Sequence, residues 1–379
     1  MQVVILAAGS GERMKPLTET MSKVMIPIAN KPLLEWTANA MKELADEIIL
    51  VVRKEQKDII EKFPQCEFVY QDKPLGTAHA IACCEGHVSG KFLVMMGDDY
   101  IAKEDIEKLS KENPYCAGYF TLDDTENFGV FVIENNKIID IIEKPKTPES
   151  NMANCGIYLF DERIFDAIKK TKISERGEYE ITDALKLMIK EGIEIKAVRI
   201  NNWQPVGYPW HLLNLNRIVL DKTGNQIGKV EILSGVHIEE PVAIGDGSII
   251  GPNCNIRKYS SIGKNCMIGN ATEVKNSIVM DNSHVPHLNY VGDSIIGRNC
   301  NLAAGTIFAN LRLDENNIKM MIKDEKIDSG KRKLGCIVGD NVKFGVNVTV
   351  MPGKKIWPNL LIPPCITIKD DLKEQPVLK

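Results

Sequence analysis

Two rhythms of apolar residues divide the chain. From residue 1 to about 220, short runs rich in β-formers alternate with longer stretches of helical spacing. The runs "VVILA" at 3–7, "EIILVV" at 47–52 and "KFLVMM" at 91–96 are continuous enough to be buried strands. Between the first two, "KPLLEWTANAMKELAD" places Leu33, Leu34, Trp36, Ala40, Met41 and Leu44 at near-helical spacing. Strand followed by helix, repeated, predicts a mostly parallel sheet with helices on both faces. Such sheets take ligands at the carboxyl ends of their strands. From about 231 the rhythm becomes six: Ile232, Ile238, Ile244, Ile250, Ile256, Ile262, Ile268 and Val274 follow one another at that interval. It returns at Ile296, Leu302 and Phe308, and again at Val338, Phe344, Val350, Ile356 and Ile362. A period of six is one short strand plus one turn, and stacked coils of it make a parallel β-helix.

Two features stand out against this second rhythm. Cys254, Cys266, Cys300 and Cys336 each precede the repeating aliphatic by two residues, in the slot that Ser260 and Thr272 fill elsewhere. Residues i and i+2 of a strand face the same side, so these cysteines are predicted to be small inward-facing fillers. The rhythm then breaks at "SHVPHLNYVGDS", 283–294, where two histidines, a proline and a tyrosine enter. The expectation is a polar loop that replaces one hexad, with Pro286 ending a coil, so that His287 and Tyr290 project.

Composition mainly excludes. A length of 379 residues suffices for two or three domains, each with its own core. An apolar share of 44% and a charged share of 26% suit an ordinary globular chain. A net charge of -4 supplies no global basic field, so nucleic acid is not an expected partner. No segment approaches the ~18 consecutive apolar residues of a membrane helix. The start, "MQVVILAAGSGERM", lacks the basic n-region of an export signal. The expectation is a cytoplasmic protein with no membrane partner. None of the ten cysteines forms a CxxC pair, so free thiols are expected, not disulfides or a zinc site.

Chemistry enters at "LAAGSGERMKPL", directly after the first strand. A glycine-rich strand-to-helix turn presents backbone N–H groups to phosphate, and Arg13 and Lys15 add fixed positive charge. A dinucleotide fold would need a third glycine where Met14 stands. The stretch L-A-A-G-x-G-x-R-M-x-P-L-T with "SKVMIPIANKPLLE" resembles the sugar-1-phosphate nucleotidylyltransferases. "QDKPLGTAHA" (71–80), "MMGDD" (95–99), "FGV" (128–130), "IIEKP" (141–145), "NCGIY" (154–158) and "EYEITDAL" (178–185) follow in the family's order. The resemblance implies a Rossmann-like nucleotidyltransferase domain over 1–225. It implies that Leu6, Ala8, Gly9, Gly11, Gln71, Gly76 and Thr77 bind the nucleotide, with Gln71 and Gly76 reading the base. Arg13 and Lys23 would neutralise charge at the reacting phosphates, and Asp98 would hold Mg²⁺. Gly129, Glu143, Lys144 and Asn154 would bind the sugar phosphate. Taken singly, Asp98 also reads as a helix cap, and Lys23 and Lys144 as solvated surface lysines. One departure is plain. In "NNWQPVGYPW", Pro205 stands where the family carries a second metal-binding residue, leaving Asn201, Asn202 or Gln204 as substitutes through an amide oxygen.

The second half resembles the acetyltransferase domain of the bifunctional enzyme that makes UDP-N-acetylglucosamine. It is closer still to archaeal bifunctional sugar-1-phosphate nucleotidylyltransferase/acetyltransferases, without a gap from Arg257 to Asn310. The resemblance implies a left-handed β-helix of hexapeptide repeats over 231–370, assembled as a homotrimer with acetyl-CoA between neighbouring prisms. Arg257, Lys275, Tyr290 and Asn301 would bind the sugar phosphate. His287 would be the general base, and Ala304 and Asn310 would meet acetyl-CoA. An amine attacks a thioester only when unprotonated, and an imidazole, ordinarily titrating near 6.5, can take its proton. Residues 311–334 leave the repeat and end in Lys331, Arg332 and Lys333, a solvated face or a contact for the coenzyme's phosphates. Val346 replaces the usual serine after F-x-G, leaving only its backbone for the coenzyme. The expected function is bifunctional: acetylation of an amino-sugar 1-phosphate, then its coupling to UTP or dTTP. The alternatives are a single-function nucleotidylyltransferase with a trimerising β-helix, and a non-catalytic nucleotide-sensing subunit.

Overall fold

The structure is a computed structural model and describes residues 1–147 and 150–376. It divides into two compact units, and the division is not a single cut. Met1–Ser10 and Leu33–Pro205 form one; Gly11–Pro32 and Val206–Lys379 form the other. Among the described residues, no helix is long and apolar enough to cross a membrane.

The first unit is built on a nine-stranded sheet. In spatial order its strands are Glu67–Tyr70, Glu47–Val52, Gln2–Leu6, Phe92–Met96, Met152–Phe160, Cys116–Thr121, Ile195–Arg199, Lys137–Glu143 and Gly129–Glu134. Only Met152–Phe160 and Lys137–Glu143 run against the others, so the sheet is mixed but mostly parallel in direction. Val3, Val4, Ile5 and Phe92–Met95 are fully enclosed, as their unbroken apolar runs require in a sheet covered on both faces. Gln2–Leu6 pairs with Glu47–Val52 on one side and with Phe92–Met96 on the other. The order of strands reverses here, and the crevice beyond the carboxyl ends of these strands is where such sheets accept ligands.

The second unit is a three-sided prism, a parallel β-helix of the left-handed hexapeptide form. Its strands fall into three all-parallel sheets of seven, beginning at Gln226–Ile227, Glu231–Ile232 and His237–Ile238. Ile249 pairs with Met267, one coil being eighteen residues. Inside, Ile250, Ile256, Ile262, Ile268, Val274 and Leu302 are fully buried. Cys254, Cys266, Cys300 and Cys336 join them at 2% exposure or less, as expected, and burial pushes the Cys300 thiol up to about 12. The corners need left-handed backbone, which asparagine tolerates. Asn265, Asn282, Asn299, Asn341 and Asn359 all have positive φ; the side chain of Asn265 donates to Asn282, that of Asn299 to Asn341 and that of Asn341 to Asn359.

The expected loop at 283–294 is not there. His284–His287 and Tyr290–Gly292 are ordinary strands, and Pro286 lies within the first instead of ending a coil. No hexad is lost: Val279, Val285, Val291 and Ile296 continue the buried column. What breaks the count is two shortened corners, Val274 to Val279 and Val291 to Ile296, each one residue tighter. Asn276 (φ 44°) and Asp293 (φ 49°) turn the chain there, and the coil drops to seventeen residues, Met267 pairing with His284. Residues 311–334 do leave the repeat, forming a hairpin of Lys319–Ile322 and Glu325–Asp328.

Segment Gly11–Pro32 packs with the prism. Asn30 Nδ2 donates to Ile262 O at 2.7 Å, and Thr20 Oγ1 donates to Asp340 Oδ2 at 2.8 Å. Arg298 donates to that same carboxylate oxygen and to Thr20 O. Helix Pro209–Thr223 lies alongside, started by a proline that has no N–H to leave unpaired. Its Asn216, 1% exposed, accepts from Ala29 N–H and Ser261 Oγ and donates to Tyr259 O, so one buried amide ties helix, segment and prism together.

Candidate active sites

In the first unit, the residues implied for the nucleotide gather at carboxyl ends of strands. Leu6 closes the first strand, and Ala8 and Gly9 follow it. Gly97 N–H donates to Leu6 O at 2.9 Å, which sets the turn holding Asp98 beside that strand end. Gln71 follows the strand Glu67–Tyr70 and is 3% exposed, its N–H bonded to Val52 O at 2.9 Å. Gly76 (φ 109°) caps helix Thr77–Ala82, and a side chain there would sit 2.5 Å from Tyr179 O. That contact is where "EYEITDAL" acts: Ala78 N–H donates to Tyr179 O, and Ile181 N–H to Thr77 Oγ1.

The residues implied for the sugar phosphate meet on the antiparallel side of the sheet. Gly129 and Glu143 stand opposite each other in register, and Lys144 N–H donates to Phe128 O. A Cβ at position 129 would approach Glu143 Oε2 to 2.8 Å. Glu143 is held by Thr182 Oγ1 and Arg176 Nη1, both at 3.0 Å, with Lys144 Nζ 3.8 Å away. Arg176 also pairs with Glu180 at 3.0 Å, whose carboxyl is raised by burial and by Glu143. Asn154 sits at a bulge, its Oδ1 accepting from Gly156 N–H and its Nδ2 donating to Tyr158 OH. Glu180 and Thr182 lie within "EYEITDAL" and His79 within "QDKPLGTAHA", although the motifs alone assign them no role, and Arg176 lies outside both.

Gly11, Arg13 and Lys23 belong to the other unit. The expected helix N-terminus is absent: Glu12–Met14, Leu17–Glu19 and Lys23–Met25 are single 3₁₀ turns. A macrodipole needs a run of aligned peptides, so this loop offers phosphate only local N–H groups and cationic side chains. Gly11 (φ 68°) passes so close to Thr18 and Lys23 that a Cβ would meet Thr18 Cγ2 at 2.8 Å. Arg13 is exposed, with its guanidinium carbon 5.3 Å from the centre of the Tyr208 ring.

A magnesium site would rest on few protein groups. Among the described residues no three His, Cys, Asp or Glu side chains cluster as a cage. Pro205 stands opposite Asp99 in a short strand pair, and Asp99 Oδ2 accepts from Trp203 Nε1. Of the substitute residues, Asn201 Nδ2 and the N–H groups of Asn201 and Asn202 all donate to Asp105, which fixes that turn. Gln204 Nε2 donates to Pro205 O. A single hard carboxylate at Asp98 still suits Mg²⁺, which often takes its other ligands from phosphates and water.

On the prism, three of the implied residues, Lys275, Tyr290 and Asn310, come together. Asp293, 6% exposed at one shortened corner, is their hub. Its Oδ2 accepts from Asn310 Nδ2 at 2.5 Å and lies 3.5 Å from Lys275 Nζ; its Oδ1 accepts from Asn276 Nδ2 at 2.7 Å. Asn310 Nδ2 also lies 3.1 Å from Tyr290 OH. Gly292 lies beneath this pair, where a Cβ would meet Tyr290 OH at 2.5 Å. One coil before Lys275, Arg257 is steered by Glu239 and Glu273 at 3.2 and 3.3 Å. Burial raises the Tyr290 phenol. Neither Asp293 nor the two glutamates was anticipated, because only the three-dimensional stacking of short corners shows their role.

His287 and Asn301 lie on the adjacent sheet, separated from Tyr290 by the corner Leu288–Asn289. His287 is exposed, its N–H donating to the 3%-exposed Asn289 and its carbonyl accepting from Gly305 N–H. His284 is exposed too, in register with Asn301. Ala304 lies in the next corner, its carbonyl accepting from Asn347 N–H. Val346 is 44% exposed with its carbonyl bonded to Cys365 N–H. The basic run is not uniformly solvated: Lys331 is half-buried, its ammonium lowered first by desolvation, then by Arg217, against the pull of Asp293.

Known proteins match both halves of the chain. The nucleotidyl transferase family model matches residues 2–222, and the model of the GMPPB C-terminal domain matches 238–371. The chain is 43% identical to "Bifunctional protein GlmU" of Methanocaldococcus jannaschii, over 98% of this chain and 96% of that one. It is 38% identical to the "Bifunctional sugar-1-phosphate nucleotidylyltransferase/acetyltransferase" of Sulfurisphaera tokodaii, over 98% of both. A crystal structure of a glucose-1-phosphate thymidylyltransferase from Bacillus anthracis, solved with sucrose, superposes with a TM-score of 0.53. It shares 32% identity and covers 58% of this chain and 96% of its own.

Proposed function

The chain belongs to the nucleotidyl transferase family, as a bifunctional sugar-1-phosphate nucleotidylyltransferase/acetyltransferase, and we propose that it acetylates glucosamine-1-phosphate on the prism and couples the product to UTP or dTTP in the N-terminal half. The observation that supports the acetyl assignment is the grouping of Lys275 and Asn310 on Asp293, with Tyr290 against Asn310, Arg257 one coil before Lys275 and His287 one corner away. Arg257 and Lys275 hold the phosphate dianion, and Tyr290 and Asn310 orient the sugar. His287 takes a proton from the 2-amino group as its nitrogen forms the bond to the acetyl carbonyl carbon. The carbon–sulfur bond breaks, and coenzyme A leaves as the thiol once it recovers a proton.

In the second reaction a phosphate oxygen of N-acetylglucosamine-1-phosphate attacks the α-phosphorus in line. The bond to the β-phosphate oxygen breaks and pyrophosphate leaves, without a covalent enzyme intermediate. Gly9 and Gly11 approach the phosphates closely, Arg13 and Lys23 offset their charge, and Gly129, Glu143, Lys144 and Asn154 hold the sugar. Asp98 would hold Mg²⁺, which supplies charge neutralisation to the phosphates when bound. We further propose a homotrimer. His287, Asn301 and Ala304 lie on one sheet and its corner and the phosphate cluster on the next, which supports a coenzyme site completed by a neighbouring prism.

Mass spectrometry of one mixture tests this: purified protein, glucosamine-1-phosphate, acetyl-CoA, UTP and Mg²⁺. UDP-N-acetylglucosamine is expected from the native chain and absent with His287→Ala, while N-acetylglucosamine-1-phosphate supplied directly restores product. Acetylation that survives His287→Ala would refute the assigned base, and light scattering that gives a monomer would refute the trimer.

A further inference from the structure

Gln71 makes two hydrogen bonds through one atom. Its Nε2 lies 3.2 Å from Gly76 O and 3.0 Å from His79 Nδ1. A carbonyl oxygen only accepts, so the first contact fixes Nε2 as the nitrogen end of the amide. An amide nitrogen only donates, so His79 Nδ1 accepts, and the imidazole proton resides on Nε2 of the ring. The ring is held in place. It stacks on Tyr179 at 6.5 Å and 28°, and its helix is tied to the same segment through Ala78 and Thr77.

With both amide protons committed to protein acceptors, Gln71 presents a ligand with Oε1, an acceptor. Pyrimidines differ at the edge such an acceptor would meet. Uracil and thymine carry a donor at N3, whereas N3 of cytosine is itself an acceptor and would face Oε1 without a proton between them. We propose that His79 is a specificity-determining positioning residue: by accepting from Gln71 Nε2 it locks the amide so that Oε1 selects a base with N3–H and rejects cytosine. This rests on the reading that Gln71 and Gly76 hold the base.

The test compares UTP with CTP on the full-length protein, with N-acetylglucosamine-1-phosphate and Mg²⁺, followed as pyrophosphate release. The native chain should prefer UTP in kcat/KM. In His79→Leu the ring acceptor is gone and Gly76 O alone still holds Nε2, so the amide is less firmly fixed and the UTP:CTP ratio should fall by up to about tenfold, the worth of one neutral hydrogen bond. His79→Asn, whose Oδ1 lies near the position of Nδ1, should keep the ratio within about threefold, because it still accepts. Acetyl transfer should be unchanged in both variants, which controls for folding. An unchanged ratio in His79→Leu overturns the proposal, as does equal damage from leucine and asparagine, since the ring would then matter only for packing on Tyr179. A native chain that makes no nucleotide sugar from either triphosphate would overturn the nucleotidyl reading itself.

Discussion

Asp293→Asn is the sharpest perturbation of the prism, because it changes charge and donor pattern while keeping shape. In the native chain each carboxylate oxygen accepts an amide proton, from Asn276 on one side and Asn310 on the other, and Lys275 stands 3.5 Å off. An asparagine must turn its NH₂ toward one of those two amides, which puts donor against donor. At least one charge-assisted bond is lost, worth about 1.5–3 kcal/mol, at a side chain only 8% exposed. If half of that is felt at the reacting sugar, acetyl transfer falls by roughly three- to tenfold. The loss should appear mainly in KM for glucosamine-1-phosphate, since Lys275 loses the carboxylate that aims it and Asn310 its acceptor. The assay is thiol release from acetyl-CoA, with pyrophosphate release from UTP and N-acetylglucosamine-1-phosphate as the internal control. Acetyl kinetics unaltered in Asp293→Asn would refute the view that this corner organises the pocket. Equal loss of both activities would show a folding defect, which Asp293→Glu and a thermal melt would separate.

Two further outcomes follow from the first unit. Gly129→Ala would bring a methyl group to 2.8 Å from Glu143 Oε2, which Thr182 and Arg176 hold in place. The KM for the sugar 1-phosphate in nucleotidyl transfer should rise by about tenfold or more with acetyl transfer untouched, and steady-state kinetics with varied sugar phosphate checks it. Glu180 is raised by burial and by Glu143, so the stability it contributes is present below its unfolded pKa and lost as pH climbs through its higher folded value. Glu180→Gln should therefore raise the melting temperature at pH 7 to 8 and leave it unchanged near pH 4. Melting curves at the two pH values decide it, and a stabilisation that is larger at pH 4 would reverse the sign.

Much of the architecture could be read from spacing alone, because both rhythms are set by the sides on which a strand is buried. The strands at 2–6, 47–52 and 92–96 and the sixfold column of aliphatics needed nothing else. The loop expected at 283–294 shows where such reading stops. A strict count of six registers a one-residue corner as a break, although Val279, Val285 and Val291 continue the column on either side. Asn276 and Asp293 could have given it away, both being residue types that tolerate left-handed backbone in the sequences V-K-N-S-I and V-G-D-S-I. The implied residues at the sugar phosphates were legible as motifs, but their organisers were not. Arg176, Asp293, Glu239 and Glu273 act through partners distant in sequence or one coil away, and no linear spacing announces such a pairing.

The packing of Gly11–Pro32 bears on how the two activities came to share a chain. The segment that carries Arg13 and Lys23 is fastened to prism residues contributed from far along the sequence: Ile262, Arg298 and Asp340. Selection on the prism's outer surface is therefore also selection on the loop proposed to hold the phosphates, and a cut after Pro205 does not separate exchangeable modules. A chimera that grafts a foreign β-helix after Pro205 would inherit the loop but none of its anchors. Recombination at the apparent linker should yield sound folds with poor nucleotidyl turnover, whereas a graft that carries residues 11–32 along with the prism should travel intact.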